Sequence, residues 1–136
     1  MMTLVADANA ALGTVLPGHD ERVAEAFLHH ISSGDAVCVP PLWLLETLNV
    51  LLVRERRKKL DAEERDQAID CLHGYPVRVN EESTAHIAEI QRLATKHSLS
   101  SYDAAYLELT LRLECGLLSA DGPLCEAARS EGVTLL

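Results

Sequence analysis

Two acidic residues of this 136-residue chain directly follow short apolar runs that are typical of β-strands. Asp7 follows the run TLVA, and Asp121 follows GLLSA. In parallel α/β proteins, ligands bind beyond the carboxyl ends of the strands, so both side chains are candidates for a functional site there. Each also has an ordinary interpretation. Asp7 would cap a following helix or turn, and Asp121, which precedes Gly122 and Pro123, would begin a turn or a helix.

Two further acids lie on predicted helices and are expected to face inward. Glu46 has no cation three or four residues away in PPLWLLETLNVLLVRERR, so it cannot form an ion pair within its own helix. Asp103, in LSSYDAAYLELT, shares a helical face with Leu107 and Leu111. A buried carboxylate normally needs a partner. The alternative for Asp103 is a capping box with Ser100 at the start of the helix.

A divalent cation is the partner that would suit all four acids. If the carboxylates converged without a lysine or arginine among them, they would repel one another, and at least one would keep its proton. Carboxylate-rich sites without sulfur or histidine suit Mg²⁺ or Mn²⁺. Such ions can lower the pKa of a water and stabilise the oxygens of a phosphodiester during cleavage.

The composition bounds the class of protein. A chain of 136 residues with 48% hydrophobic residues suits one domain spanning 1–136. No apolar run is long enough to span a membrane, and no basic leader opens the sequence, so we expect a soluble, cytoplasmic protein without a membrane partner. Phosphate-binding glycine motifs are absent. The cysteines show no zinc-like spacing and are expected to be buried, reduced thiols: Cys38, Cys71, Cys115 and Cys125.

One segment opposes the acidic character of the chain. The net charge of −9 disfavours binding to a polyphosphate. The segment RERRKK, however, concentrates five of the twelve basic residues, leaving 7 basic and 20 acidic residues elsewhere. It is either a phosphate-guiding patch or a solvated helix end whose cations suit the helix dipole. We refer to these five residues as the basic cluster: Arg54, Arg56, Arg57, Lys58 and Lys59.

Strand-like and helix-like segments alternate along the chain. The short apolar runs TLVA, AVCV, VRV, GLLSA and VTLL are separated by longer stretches of helical period. Continuous apolar strands indicate a parallel sheet covered by helices on both faces. No linker, repeat or low-complexity segment interrupts this order. Helices are predicted at about 20–33, 41–58, 61–73, 82–97, 101–114 and 123–131.

Four segments together carry a resemblance to a known family. The segments VADAN, LWLLETLNVL, LSSYDAAYLELTLR and LLSADGPLCEAARSEGV follow one another in this order and are spread over almost the whole chain. The set resembles the PIN-domain family, particularly VapC-type toxins. Each fragment alone would be weak, but the spacing of the acids, the SYDAAYL helix start and the Ser-x-Asp strand ending agree together. The resemblance implies an α/β fold, a three-layer α/β/α sandwich around a parallel sheet of about five strands.

The resemblance also implies an activity and partners. It implies a Mg²⁺- or Mn²⁺-dependent endoribonuclease, the toxin of a type II toxin-antitoxin pair, which forms a homodimer and is held by a cognate antitoxin. The family often has serine or threonine where Asn9 stands and threonine where Ser119 stands, and both replacements keep a hydrogen-bonding group. Those two residues would orient the acids. The implied catalytic and metal-binding residues are Asp7, Glu46, Asp103 and Asp121.

RNA contacts and alternative functions complete the hypotheses. Tyr102, beside Asp103, is the candidate for base stacking, although it would equally suit packing at the helix start. A catalytically inactive PIN-like binding module, and an interaction protein whose acids are only caps and turns, both remain open. A haloacid-dehalogenase-like phosphatase is less favoured, because it needs a second acid where Asn9 stands and a catalytic lysine that the sequence does not offer.

Overall fold

The protein is built around a parallel β-sheet, described here from a computed structural model that covers residues 1–136. The sheet has four strands in the order β3-β2-β1-β4 and is flanked by helices in an α/β/α arrangement, as predicted. Strand β1 lies at the centre and pairs with β2 on one side and β4 on the other. The strands are β1 (Thr3–Ala6), β2 (Ala36–Val39), β3 (Arg78–Val79) and β4 (Gly116–Leu118).

Seven α-helices and one 3₁₀-helix connect the strands. Five of the six predicted helical segments are single helices, and the five-residue helix after β1 lies outside the predicted segments. The sixth, predicted at 82–97, begins as a 3₁₀-helix at Glu81–His86 and continues as an α-helix. The α-helices are α1 (Ala8–Leu12), α2 (Glu21–Ser32), α3 (Leu42–Arg56), α4 (Ala62–Gly74), α5 (Ile87–His97), α6 (Ser101–Arg112) and α7 (Gly122–Ser130).

The core explains why the central strands have no alternation of polar and apolar residues. Leu4, Val5 and Ala6 of β1 are all fully buried, because helices cover both faces of the sheet. Trp43 of α3 is fully buried as well, as expected for a lone aromatic residue on an apolar helix. The carboxyl ends of β1 and β4 therefore lie side by side on a rigid support.

Two expectations need correction. The run VTLL at the carboxyl end forms no full strand and contributes one isolated parallel bridge, between Leu117 and Leu135. The cysteines are all free, but they are not all buried, since Cys71 on α4 is exposed. Cys71 lies within a helix whose outer face meets solvent, and a thiol is tolerated there.

A buried ion pair fastens the segment after β3 to helix α6. Glu108 is only 3% exposed and accepts from Arg112 Nε at 2.8 Å and from Nη2 at 3.1 Å. Arg112 also donates to Asn80 Oδ1 at 3.2 Å and to Ser83 Oγ at 3.1 Å. His86 Nδ1 lies 4.0 Å from the same carboxylate. Glu108 is thus a buried acid with a complete set of partners.

Every helix of the protein is too short or too polar to span a bilayer.

Candidate active site

Two of the candidate acids lie at the adjacent carboxyl ends of β1 and β4. The strands are paired up to Ala6 and Leu118, so Asp7 and Ser119 leave the sheet next to each other. Ser119 Oγ donates to the carboxylate of Asp7 and accepts from the backbone N–H of Asp121 at 3.0 Å. Ser119 therefore links the carboxylate of Asp7 to the backbone of Asp121.

The ordinary interpretations of these two acids are also correct. Asp7 Oδ1 accepts from Ala10 N at 3.0 Å and caps α1, while Asp121 Oδ1 accepts from Leu124 N at 2.9 Å and caps α7. A cap uses only part of a carboxylate, which has about four lone-pair sites. Capping therefore explains where the two side chains are held and leaves acceptor capacity for a ligand.

Glu46 obtains a partner that its own helix cannot supply. The hydroxyl of Tyr106 on α6 donates to Glu46 Oε1 at 2.6 Å, and Tyr106 is only 1% exposed. Sequence reasoning missed this contact, because the two residues are sixty positions apart. A signal was present, since Tyr106 lies three residues after Asp103 and on the same helical face. Burial also removes Tyr106 as a stacking surface for RNA.

Asp103 lies at the start of α6 in a half-buried position. Ser100 caps the helix by accepting from Asp103 N at 3.1 Å. The reciprocal bond from the Ser100 backbone to the Asp103 carboxylate, which would complete a capping box, is absent. A full capping box is therefore not formed, and the Asp103 carboxylate interacts with the Ser100 side chain while lying near the charge of Asp121.

Burial and the repulsion between neighbouring acids raise the pKa of three of the four acids. Burial raises the pKa of Asp7, and the neighbouring charges of Asp121 and Asp103 raise it further against the lowering effect of Ser119. Burial also raises the pKa of Glu46, with added repulsion from Asp103 and Asp7. The pKa of Asp103 is raised by burial and by Asp121. These carboxyls share one region in which negative charge is poorly stabilised.

No cation of the protein relieves this repulsion. None of the four acids forms a salt bridge, and no lysine or arginine contributes to the raised pKa values of Asp7, Glu46 or Asp103. As placed, the side chains do not form a closed cluster of three or more metal ligands. The chemistry of these side chains nevertheless suits Mg²⁺ or Mn²⁺. Both ions prefer carboxylate oxygens as ligands, and a bound cation would stabilise the negative charge of the carboxylates.

The remaining candidates lie around the acids in different settings. Asn9 is exposed and its side chain makes no hydrogen bond, so it does not orient the carboxylates in this structure. Tyr102 is 62% exposed and lines an apolar groove of about 240 Å³ between α3, the 3₁₀-helix and α6, together with Ile87 and Leu42. Tyr102 is therefore accessible to a ligand in a way that Tyr106 is not.

The basic cluster lies at the end of α3 and in the turn that follows it. Arg54 and Arg56 belong to the last turn of the helix, where cations suit its dipole. Arg54 stands eight residues beyond Glu46, about 12 Å along the helix axis. No member of the basic cluster forms a salt bridge, although its internal acid, Glu55, pairs with Arg65 at 2.5 Å. Its five cations are therefore free to meet another anion.

Comparisons with solved structures show the fold. The structure of PAE2754 from Pyrobaculum aerophilum has a TM-score of 0.68 and 19% identity, over 93% of this chain and 79% of that chain. VapBC2 from Rickettsia felis, bound to a DNA fragment from their promoter, has a TM-score of 0.67 and 11% identity, over 99% and 98%. FitAcB from Neisseria gonorrhoeae has a TM-score of 0.62 and 17% identity, over 98% and 96%.

Sequence comparison supplies the family. None of the curated protein sequences matches this chain. The family model for the PIN domain, in contrast, matches residues 4–130. That span runs from β1 to the end of α7 and includes all four acids at the carboxyl edge of the sheet. The chain belongs to the PIN domain family.

Proposed function

We propose that this protein is an endoribonuclease that depends on Mg²⁺ or Mn²⁺ and cleaves RNA phosphodiester bonds at the carboxyl edge of its sheet. PIN domains are generally nucleases. The single observation that carries the proposal for this chain is that four acids lie near enough to repel one another with no lysine or arginine among them; burial and, to a smaller extent, this repulsion raise the pKa of Asp7, Glu46 and Asp103. Acids kept only for stability are expected to be paired.

The proposed roles follow from the position of each side chain. Asp7, Glu46 and Asp103 would hold the principal cation, and Asp121 would complete its ligands or help to recruit a second ion. When bound, the cation supplies positive charge that stabilises the phosphodiester oxygens and makes water a stronger nucleophile. No side chain needs to act as a covalent nucleophile.

Two hydroxyl groups hold carboxylates in place for binding a cation. Ser119 holds Asp7 while accepting from the backbone of Asp121, and Tyr106 holds one oxygen of Glu46. Both arrangements restrict the rotation of a carboxylate before any ligand arrives, which lowers the entropic cost of binding. The unpaired basic cluster would attract the flanking phosphates of the substrate, which the acidic remainder of the chain repels.

The proposed physiological role is that of a toxin with a protein partner. VapBC2 and FitAcB share the fold of this chain. The apolar groove beside Glu46 and Asp103 includes Ile87 and Tyr102, which are 65% and 62% exposed. A cognate antitoxin would cover such a surface and block the adjacent acids, and a homodimer would cover other exposed apolar residues, among them Leu45.

The test is cleavage of a mixed, structured RNA pool by the purified chain, with Mn²⁺ or with a chelator. Wild type should cut only with Mn²⁺, and Asp103→Asn should be slower by more than about 100-fold, since even the loss of an outer-shell partner costs 10- to 100-fold. Asp70→Asn is the matched control, because Asp70 is exposed on α4 and has no polar partner. Cleavage in the chelator, or equal rates for both variants, would refute the proposal.

The toxin role has a separate test in cells. Induced expression of the chain should slow growth, whereas Asp103→Asn expressed at the same level should not. Growth arrest by both proteins would show that toxicity does not arise from the four acids.

A further inference from the structure

The structure contains a second polar cleft, beside the acids but outside the proposed catalytic set. It has a volume of about 430 Å³, within the range of small-molecule sites, and lies between the α1–α2 loop and the start of α7. Asp121 is one of its lining residues, so the cleft and the candidate active site share this carboxylate. Its principal lining residues are Asn9, Gly18, His19, Asp20, Asp121 and Gly122.

His19 is the one group in this cleft with a buried polar atom that lacks a hydrogen-bond partner. Its ring is partly buried, and Nδ1 is fully buried without a hydrogen-bond partner. Nε2 makes no hydrogen bond with the protein and is not among the buried atoms, so it remains accessible. A partly buried imidazole with no protein partner at either nitrogen is unusual, since buried polar groups are nearly always satisfied.

The burial of Nδ1 determines whether the accessible Nε2 of His19 donates or accepts a hydrogen bond. An N–H at Nδ1 would be a buried donor without an acceptor, and orphaned donors are rarer in proteins than under-satisfied acceptors. The ring hydrogen therefore belongs on Nε2. His19 presents a hydrogen-bond donor to the cleft.

The charges around the cleft decide what this donor meets. Asp20 and Asp121 contribute two carboxylates, and no lysine or arginine lines the cleft. Asp20 is occupied in part as the cap of α2, since it accepts from Arg22 N at 2.9 Å and Val23 N at 3.2 Å. A phosphate would be repelled by these acids. A neutral nucleobase, with carbonyl and ring-nitrogen acceptors on its edge, would not be.

We infer that this cleft binds one unpaired base of the RNA next to the cleaved bond, and that His19 Nε2–H donates to an acceptor on the edge of that base. The inference rests on the proposed ribonuclease function, because RNA is the substrate assumed there. Asn9, whose free amide lies in the same cleft, offers a second donor and acceptor to the base. Because the donor is fixed in position, the cleft should bind most tightly the base whose acceptor lies opposite it. His19 would therefore determine which base is preferred and would take no part in the cleavage reaction.

The first part of the test is cleavage-site mapping on a random-sequence, single-stranded RNA library with Mn²⁺. Wild type should prefer one base at a position flanking the cut, and His19→Ala should weaken that preference by roughly three- to tenfold, the value of one hydrogen bond. His19→Gln keeps an N–H donor and should restore part of the preference.

The second part is binding of four six-nucleotide homopolymers in a chelator, which requires no cleavage. His19→Ala should lose the ranking of the four oligonucleotides, whereas the control His29→Ala, at the exposed far end of α2, should keep it. Equal weakening of all four by His19→Ala would indicate a merely structural role and overturn the inference, as would an unchanged ranking.

The two parts separate this inference from the function on which it rests. If wild type cleaves RNA and His19→Ala keeps the wild-type preference, the base cleft is refuted while the nuclease stands. If a ranking that depends on His19 appears in binding but wild type never cleaves, the nuclease is refuted while the cleft stands. Absence of any ranking in both assays refutes the cleft.

Discussion

Helix α6 carries two inward acids in opposite surroundings. Glu108, near its end, is almost fully buried and is matched by the guanidinium of Arg112, which also holds Asn80 and Ser83. Asp103, five residues earlier, is half-buried and has no cation near it, only the side chain of Ser100 and the charge of Asp121, and its pKa is raised by burial and by Asp121. The same helix thus carries one acid whose charge is compensated by an arginine and one whose charge is not compensated by any cation of the protein.

The difference identifies a candidate site without reference to any relative. A structural acid lowers the free energy of the folded chain only when its charge is compensated, as at Glu108. Asp7, Glu46 and Asp103 are uncompensated within the protein, which costs stability. Such a cost is typical of functional sites, where the compensating charge arrives with the ligand.

Breaking the compensated pair should have the largest effect. Arg112→Met leaves Glu108 buried without a partner and should lower the free energy of unfolding by about 3 kcal/mol or more. The double variant Glu108→Leu with Arg112→Met should recover most of that loss, because no buried charge remains. Urea denaturation measures both. A loss below about 1 kcal/mol in the single variant would show that the pair is not a structural anchor.

Removing the support of the uncompensated acids should act on activity more than on stability. Ser119→Ala loses the hydroxyl that donates to Asp7 and accepts from Asp121 N, so we expect RNA cleavage to fall by about 10- to 100-fold. Ser119→Thr keeps the hydroxyl and should retain most of the activity. Single-turnover cleavage rates provide the measurement. Equal rates for the Ala and Thr variants would contradict the orienting role.

Neutralising an uncompensated acid should stabilise the protein in a pH-dependent way. The pKa of Asp7 is raised by burial above its usual value near 3.8, so its favourable contribution is complete below that pH and is lost as the pH rises through the raised value. Asp7→Asn can still cap α1. In chelator at neutral pH it should be more stable than wild type by about 1 kcal/mol, with the gain vanishing toward low pH.

Asp35, an acid with hydrogen-bonding partners, serves as the control, because its neutralisation should change the stability in the opposite direction. The pKa of Asp35 is lowered by its hydrogen bonds with His30 and with the backbone of Met2, so its contribution is present above its usual pKa and lost as the pH falls. Asp35→Asn should therefore be less stable than wild type at neutral pH. Urea denaturation across about pH 4 to 7 compares the two variants. If both had the same sign, the contrast between the two kinds of acid would fail.

The smallest expected effect concerns the unpaired cations. If the basic cluster contacts RNA phosphates, Lys59→Gln should reduce the slope of log affinity against log salt by about 0.7, the value for one contact to a single strand. Arg129→Gln removes an equal charge from an exposed, unpaired position on α7 and should leave the slope unchanged. RNA binding measured at several salt concentrations decides between a phosphate contact and a solvated helix end.

Local pattern predicted the frame of the molecule well. Helical period and short apolar runs indicated the parallel sheet and its covering helices, and strand-end position brought Asp7 and Asp121 to the same edge. Periodicity does not predict helix α1, because five residues are too few to show a period, although Asp7 as the cap of a following helix or turn is one of the interpretations of the sequence. VTLL has the composition of a strand, but only one of its residues, Leu135, forms a bridge.

The finer structure of the site could not be read from local pattern. Tyr106 reaches Glu46, and Ser119 reaches Asp7, across 60 and 112 positions of the sequence. The buried, unpartnered ring nitrogen of His19 and the cleft that His19 shares with Asp121 exist only in the folded chain. Such contacts depend on how distant elements pack, which periodicity and spacing do not encode.

Titration of Mn²⁺ into the purified, metal-free protein tests most directly whether the four acids bind a divalent cation. The melting temperature of wild type should rise with Mn²⁺ until binding saturates, because a ligand of the folded state alone must stabilise it. Asp70→Asn should behave identically, and Asp103→Asn should need at least about tenfold more Mn²⁺ for the same rise. A wild-type melting temperature that does not respond to Mn²⁺, or equal titrations for wild type and Asp103→Asn, would contradict the account.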